Sequence, residues 1–189
     1  MNTREIAEEI RKNLKKHGIT SKQVSVRAKT YLLDKSIEVR IKDLKVSKKL
    51  VETVAKKYEY IRWDDYTNDI LAGCNTYVTV DFDYKVLREK AEEFRETARK
   101  ILEKRDKYNK DELMRLAEKR DLVVLYQPHH NGTYPHVKLC RRNNHSCILD
   151  NLESYYAVDE YGLSEALAIL SYQYGFDFTK DNDIAIVER

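Results

Sequence analysis

The residues best suited to chemistry crowd into one stretch: His129, His130, His136, Cys140, His145 and Cys147. Imidazole and thiolate are the groups zinc prefers, so ligands this close together would suit a metal site. Their spacing argues against one. The stretch has no Cys-x-x-Cys, and neither His130 with His136 nor Cys140 with Cys147 is spaced as a knuckle pair. His129 and His130 sit between Pro128 and Gly132, where an exposed turn is the simpler explanation. Solvent-facing histidines and thiols that act as small apolar groups are therefore expected, and no metal. A nucleophilic Cys paired with a His base could be drawn from the same residues, but no local signature of such enzymes surrounds them.

The carboxylates offer a second possibility. Residues 63–83 contain Asp64, Asp65, Asp69, Asp81 and Asp83 and no Lys or Arg. Asp64, Asp65 and Asp69 have neither the loop spacing of a calcium site nor a Lys or His partner placed as in a metal-dependent hydrolase. The 5 glycines form no phosphate-cradling loop. These patterns predict no catalytic residue and no cofactor. The five aspartates stand out instead as a block of one sign.

Charge is segregated along the rest of the chain as well. The overall formal charge is +3. By segment, residues 1–62 carry a net +9, residues 63–83 carry −5, residues 84–145 carry +6 and residues 146–189 carry −7. Blocks of this size create local potentials that can steer a charged partner. The chain also holds 14 Tyr against 4 Phe, and Tyr supplies contact area at little rotamer cost.

The elements that must position these groups read as α+β. With 42% hydrophobic and 35% charged residues, and only 5 Gly and 2 Pro, collagen-like and proline-rich disordered classes are excluded. Asn2 and Glu5 have capping-box spacing ahead of a helix on Ile6, Ile10 and Leu14, which Gly18 ends. Val24, Val26 and Ala28, then Ile37, Val39 and Ile41, alternate with polar residues and predict a hairpin. Its wet face would present Arg27, Lys29, Arg40 and Lys42, a candidate nucleic-acid-binding set that makes phosphate contacts without reading sequence. Ser47 caps a second helix, and a loop with Ile61, Trp63, Tyr66, Ile70 and Leu71 leads to a third strand over Thr76–Phe82.

Residues 1–83 are thus expected to form an α-β-β-α-β domain, with both helices on one face of a small sheet. Residues 84–120 read as a helical connector. Its first part runs from Tyr84 to Lys104 on a seam of Leu87, Ala91, Phe94, Ala98 and Ile101, and a short helix follows Asn109. Residues 121–189 read as a β-rich domain: Leu122–Tyr126 pairs with Tyr134–Leu139, and short strands fall near Cys147–Leu149 and Tyr155–Val158. A late helix through Leu163 and Leu170 stops at Gly175, and an edge strand lies near Ile184. No run reaches the ~18 apolar residues a membrane span needs. The charged start and the odd count of 3 Cys fit the cytosol with reduced thiols.

Three phrases carry a family resemblance: Ser25-Val26-Arg27, Ile41-Lys42-Asp43 and Gly73-Cys74-Asn75-Thr76-Tyr77-Val78. With them, residues 19–82 resemble the large polyvalent protein-associated domain of phages and conjugative elements. The resemblance covers about a third of the chain. It implies counter-defence or mobile-element housekeeping in a bacterial host, and proteins of this size with such a domain look like anti-CRISPR inhibitors of the type II RNA-guided DNA nuclease. That nuclease holds nucleic acid in a positively charged channel. An inhibitor whose partner-binding acidic set is Asp64, Asp65, Asp69, Asp81 and Asp83, with a ridge such as Asp64, Asp65 and Asp69 or else the −7 C-terminal segment, would occupy that channel of the nuclease or its guide complex as a phosphate mimic. The alternative is a non-enzymatic module for DNA processing that holds duplex DNA or RNA on the basic sheet face.

Overall fold

The computed structural model describes residues 1–103, 121–127, 134–142, 149–178 and 184–186. The chain forms two compact units, Met1–Val86 and Leu87–Arg189. The architecture is α+β in both.

The first unit begins with α1 (Thr3–Lys16). Its capping box forms as the spacing predicts: the Glu5 amide donates to Asn2 Oδ1 (2.9 Å) and the Asn2 amide to Glu5 Oε2 (2.8 Å). Ile6, Ile10 and Leu14 make its buried stripe. Strands β1 (Val24–Thr30) and β2 (Lys35–Ile41) form the antiparallel hairpin, and β3 (Thr76–Phe82) joins β2 in parallel. Period-two alternation sends Val24 and Val26, then Ile37, Val39 and Ile41, then Val78, Val80 and Phe82 into one core. Helices α1 and α2 (Lys48–Ala55, capped by Ser47) contact the strands and each other over that face.

Both edges of this sheet are partly occupied. Arg11 of α1 donates to the Val26 carbonyl (2.6 Å) at the β1 edge. At the β3 edge, Tyr60 bridges to Thr76 and the Glu59 carboxylate accepts from the Val78 amide (3.1 Å). Such contacts use backbone groups that would otherwise invite a foreign strand.

Asp83 caps the next helix through Lys85 and Val86, as its position suggests. The helix expected over Tyr84–Lys104 is not continuous. It runs as α3 (Tyr84–Ala91), a 3₁₀ turn at Glu92–Phe94, and α4 (Arg95–Glu103). All five seam residues are nevertheless buried. A seam stepping 3.5 residues per turn drifts by about 20° per heptad on an ordinary helix, and a tighter 3₁₀ turn rotates the chain in the direction that takes up this drift. From Leu87 onward this stretch belongs to the second unit.

There, a four-stranded sheet has the order β6-β5-β4-β7, with β4 (Leu122–Gln127), β5 (His136–Arg142), β6 (Leu149–Tyr156) and β7 (Ile184–Ile186). The two short strands expected near 147–158 are one strand, β6, because pairing with β5 through a bulge at Leu139/Cys140 continues along it. Helix α5 (Glu160–Tyr174) is capped by Asp159 and closed by Gly175 at φ 75°, the left-handed position that suits glycine. Arg95 fastens α4 to α5: its guanidinium bonds Glu160 (3.0 Å) and lies 4.5 Å from the Tyr161 ring. The short helix expected after Asn109 lies outside the described residues.

Candidate functional site

Two loops meet at one end of the first sheet, where β1 ends and β2 and β3 begin. The Tyr31–Asp34 turn closes on itself through the Tyr31 amide and the Asp34 carbonyl (2.9 Å). It is tied to the start of β3 by the Cys74 amide on the Leu33 carbonyl (2.8 Å) and the Lys35 amide on the Asn75 carbonyl (2.9 Å). Gly73, at φ 85°, brings its Cα close to Leu33, and a Cβ built there would stand 3.6 Å from the Leu33 Cβ.

Asn75 holds the arrangement together. It is fully buried, and every polar group it carries is used. Its Oδ1 accepts from the Arg62 amide (2.8 Å), its Nδ2 donates to the Leu71 carbonyl (2.8 Å), and its amide donates to Asp34 Oδ1 (2.9 Å). One side chain therefore links both legs of the 62–71 loop, while its backbone joins them to the hairpin turn.

Within the loop, Trp63 bridges to Ile70 as a cross-strand pair, and the Asp64 amide bonds the Asp69 carbonyl (2.8 Å). Asp64 Oδ1 accepts from the Tyr66 and Thr67 amides, 2.9 Å each, in an Asx turn. These backbone donors, Thr67 first and Tyr66 next, hold the Asp64 carboxyl below the usual carboxylate range. Asn68 takes φ 56° at the tip, which Asn tolerates better than most residues.

The five predicted aspartates are divided. Asp64, Asp65 and Asp69 lie together on this loop. Asp81 and Asp83 lie at the far end of seven-residue β3, roughly 20 Å away at strand rise. Asp81 faces basic neighbours there, with Lys48 Nζ at 3.5 Å, and Asp83 caps α3.

The four predicted basic residues also divide. Arg27, Lys29 and Arg40 share the open face of the sheet, but Glu38 sits among them. It pairs across from Arg27, bonds Arg40 (2.5 Å) and lies 3.6 Å from Lys29. The hydrogen bond from Arg40 holds the Glu38 carboxyl below its ordinary range, burial opposes it, and the charges of Arg40, Lys29 and Arg27 assist. The face is a mixed-charge ladder. Lys42 lies past the end of β2 and donates to the Ser21 carbonyl (3.2 Å).

Of the histidine and cysteine stretch, His136 and Cys140 both lie on β5, while His129, His130, His145 and Cys147 fall outside the described residues. Cys140 is buried and its thiol pKa is pushed up by desolvation, which makes it a poor nucleophile. His136 packs 4.7 Å from the Tyr156 ring, which meets Tyr134 edge-on. Among the described residues no three His, Cys, Asp or Glu side chains are grouped as metal ligands, and no helix is long and apolar enough to cross a membrane.

Sequence reasoning placed Trp63, Tyr66 and Ile70 on this loop without giving them a role, and passed over Tyr31, Leu32, Leu33 and Tyr60 beside it. Leu32 is 99% exposed, Tyr66 96%, Leu33 64%, Tyr60 60%, Tyr31 59%, Trp63 54% and Ile70 47%. The available signal was a stretch from Tyr60 to Leu71 in which six large apolar residues alternate with polar ones in neither a helical nor a strand period. Comparison with protein-family models, with curated proteins and with solved structures finds no match for this chain.

Proposed function

We propose that this protein acts by binding a macromolecule and carries out no bond-making chemistry itself. The observation that supports this best is the ordered loop end of the first unit, where Asp64, Asp65 and Asp69 stand beside exposed Trp63 and Tyr66. A surface of this kind suits recognition: aromatic side chains supply contact area, and like charges set which partner can approach.

The partner that fits the resemblance of residues 19–82 is the type II RNA-guided DNA nuclease, so the chain is proposed to be an anti-CRISPR inhibitor of a phage or mobile element, working in the host cytosol. Membership in the large polyvalent protein-associated family is part of the same proposal. Carboxylates held on a rigid turn would occupy part of the nuclease's positive channel and obstruct guide or target. The test is target cleavage by purified nuclease and guide with the full chain added. Cleavage should fall as the chain approaches equimolar amounts. Unchanged cutting at several-fold molar excess rejects the reading.

A second reading has its own observation. Tyr134, His136 and Tyr156 cluster on one side of the second sheet, and Lys138 is two residues along β5 from His136. Aromatic rings beside a cation can stack unpaired bases. In that case the chain alone shifts single-stranded oligonucleotides in a gel, with affinity falling steeply as salt rises.

A further inference from the structure

Single exposed apolar residues are ordinary on a protein surface, but a group of large ones on two adjoining loops is not. Leu32, Trp63, Tyr66 and Ile70 are such a group, gathered by the bonds that tie the Tyr31–Asp34 turn to Asn75 and the 62–71 loop. We propose that this loop end docks a protein whose contacting surface is apolar at its centre and rich in lysine and arginine around it, with Trp63 and Tyr66 as the anchors. The inference deepens the reading of the chain as a binding protein and rests on it, but not on the nuclease as the partner.

Three observations select this occupant. The anchors are of the types that dominate binding energy at protein interfaces when they enter a pocket. The loop is set before binding: Asn75 joins its legs, the Asx turn at Asp64 forms its tip, and Trp63 pairs with Ile70. Little ordering entropy is then lost on association. Charge decides the chemistry of the other side. The 62–71 loop carries Asp64, Asp65 and Asp69 against Arg62, so the rim is net acidic, attracts ammonium and guanidinium groups and repels phosphates. A nucleic acid is thereby disfavoured at this end.

The single tryptophan makes the test direct, because any change in tryptophan emission comes from Trp63. The full chain is titrated with three labelled probes: a peptide alternating leucine and lysine, one alternating leucine and glutamate, and a single-stranded oligonucleotide. Label anisotropy reports binding, and Trp63 emission with acrylamide quenching reports its location. The leucine–lysine peptide should bind, shift Trp63 emission to shorter wavelength and protect it from quenching, while the other two probes do neither. Tyr66→Ala should weaken binding by about tenfold or more. Asp65→Asn with Asp69→Asn should weaken it by roughly 2- to 20-fold, an effect that fades with added salt. Asp64 is left intact because it shapes the turn.

The proposal is overturned if the leucine–lysine peptide fails to bind, if it binds without changing Trp63, or if the acidic peptide or the oligonucleotide binds equally well. It is also overturned if sedimentation shows self-association that Tyr66→Ala abolishes, since the occupant is then a second copy. The nuclease assay separates the two claims. Inhibition that survives Tyr66→Ala and the double Asp variant refutes this loop end as the surface that meets the nuclease and leaves inhibition itself standing. Peptide docking without inhibition refutes the nuclease as partner and leaves the face standing.

Discussion

Asn75→Ala probes the loop end most sharply. The substitution removes two side-chain hydrogen bonds at a residue with no solvent exposure, leaving the Arg62 amide and the Leu71 carbonyl without their partner. A polar group so abandoned costs roughly 1–3 kcal/mol. Arg62 is exposed, so its amide can recruit water and lies at the low end of that range, while Leu71 is half-buried. The sum is about 2–4 kcal/mol. With a urea dependence of about 1–3 kcal/mol per molar, the unfolding midpoint should fall by roughly 1–2 M. Urea titration followed by Trp63 emission reads the transition from within the loop, and far-UV circular dichroism reads the strands and helices. Asn75→Asp should lose at least as much, because it places a second acceptor against the Leu71 carbonyl. A midpoint within about 0.3 M of the parent chain, at unchanged slope, would refute the idea that this side chain holds the loops together.

Other outcomes follow from the charged ladder, the loop backbone and the second unit. Glu38→Gln should cost about 0.5–1 kcal/mol at neutral pH. Because the folded-state pKa of Glu38 is lowered, its contribution is present above the ordinary glutamate pKa and disappears as pH falls through the lowered value; stability curves of parent and variant should therefore converge in acid. The same variant removes the carboxylate shared by Arg27, Lys29 and Arg40, with Asp81 still beside Arg40, so its duplex DNA affinity at low salt should exceed the parent's in a gel shift. Cys74→Gly should stabilise the chain by up to about 1 kcal/mol in urea titration, since Cys74 sits at φ 63° and is exposed. Glu165→Gln should raise the melting temperature slightly at neutral pH. Burial, with Asp159 second, raises the Glu165 pKa, so its charged form opposes folding above the ordinary glutamate pKa; the gain should vanish below that pH.

The parts legible in the sequence are those set by neighbours a few residues apart. The capping box at Asn2, the alternation of β1 and β2, the Ser47 cap and the Leu87–Ile101 seam are all local patterns, and each appears in the fold. The 3₁₀ turn at Glu92–Phe94 leaves that seam intact, so a side-chain pattern carried no trace of it. The loop end was hidden for a different reason. Its connections span 13 residues from Asn75 to Arg62 and 41 from Asn75 to Asp34, and no periodicity reports such distances. The ladder was half visible. Glu38 alternates in step with Arg40, which places it on the wet face, but only the β1–β2 register puts it opposite Arg27.

The part-occupied margins of the first sheet bear on how such a chain can keep Trp63 and Tyr66 in water without clumping. Sticky loops are hazardous chiefly when a bare strand lies beside them, because a loose first encounter can then be locked by backbone pairing into a growing ribbon. Here Arg11 guards one flank, and Glu59 with Tyr60 guards the other where it adjoins the exposed aromatics. An encounter at the loops therefore meets fewer free backbone groups that could lock it. That favours a surface held by side chains and open to a partner shaped to fit.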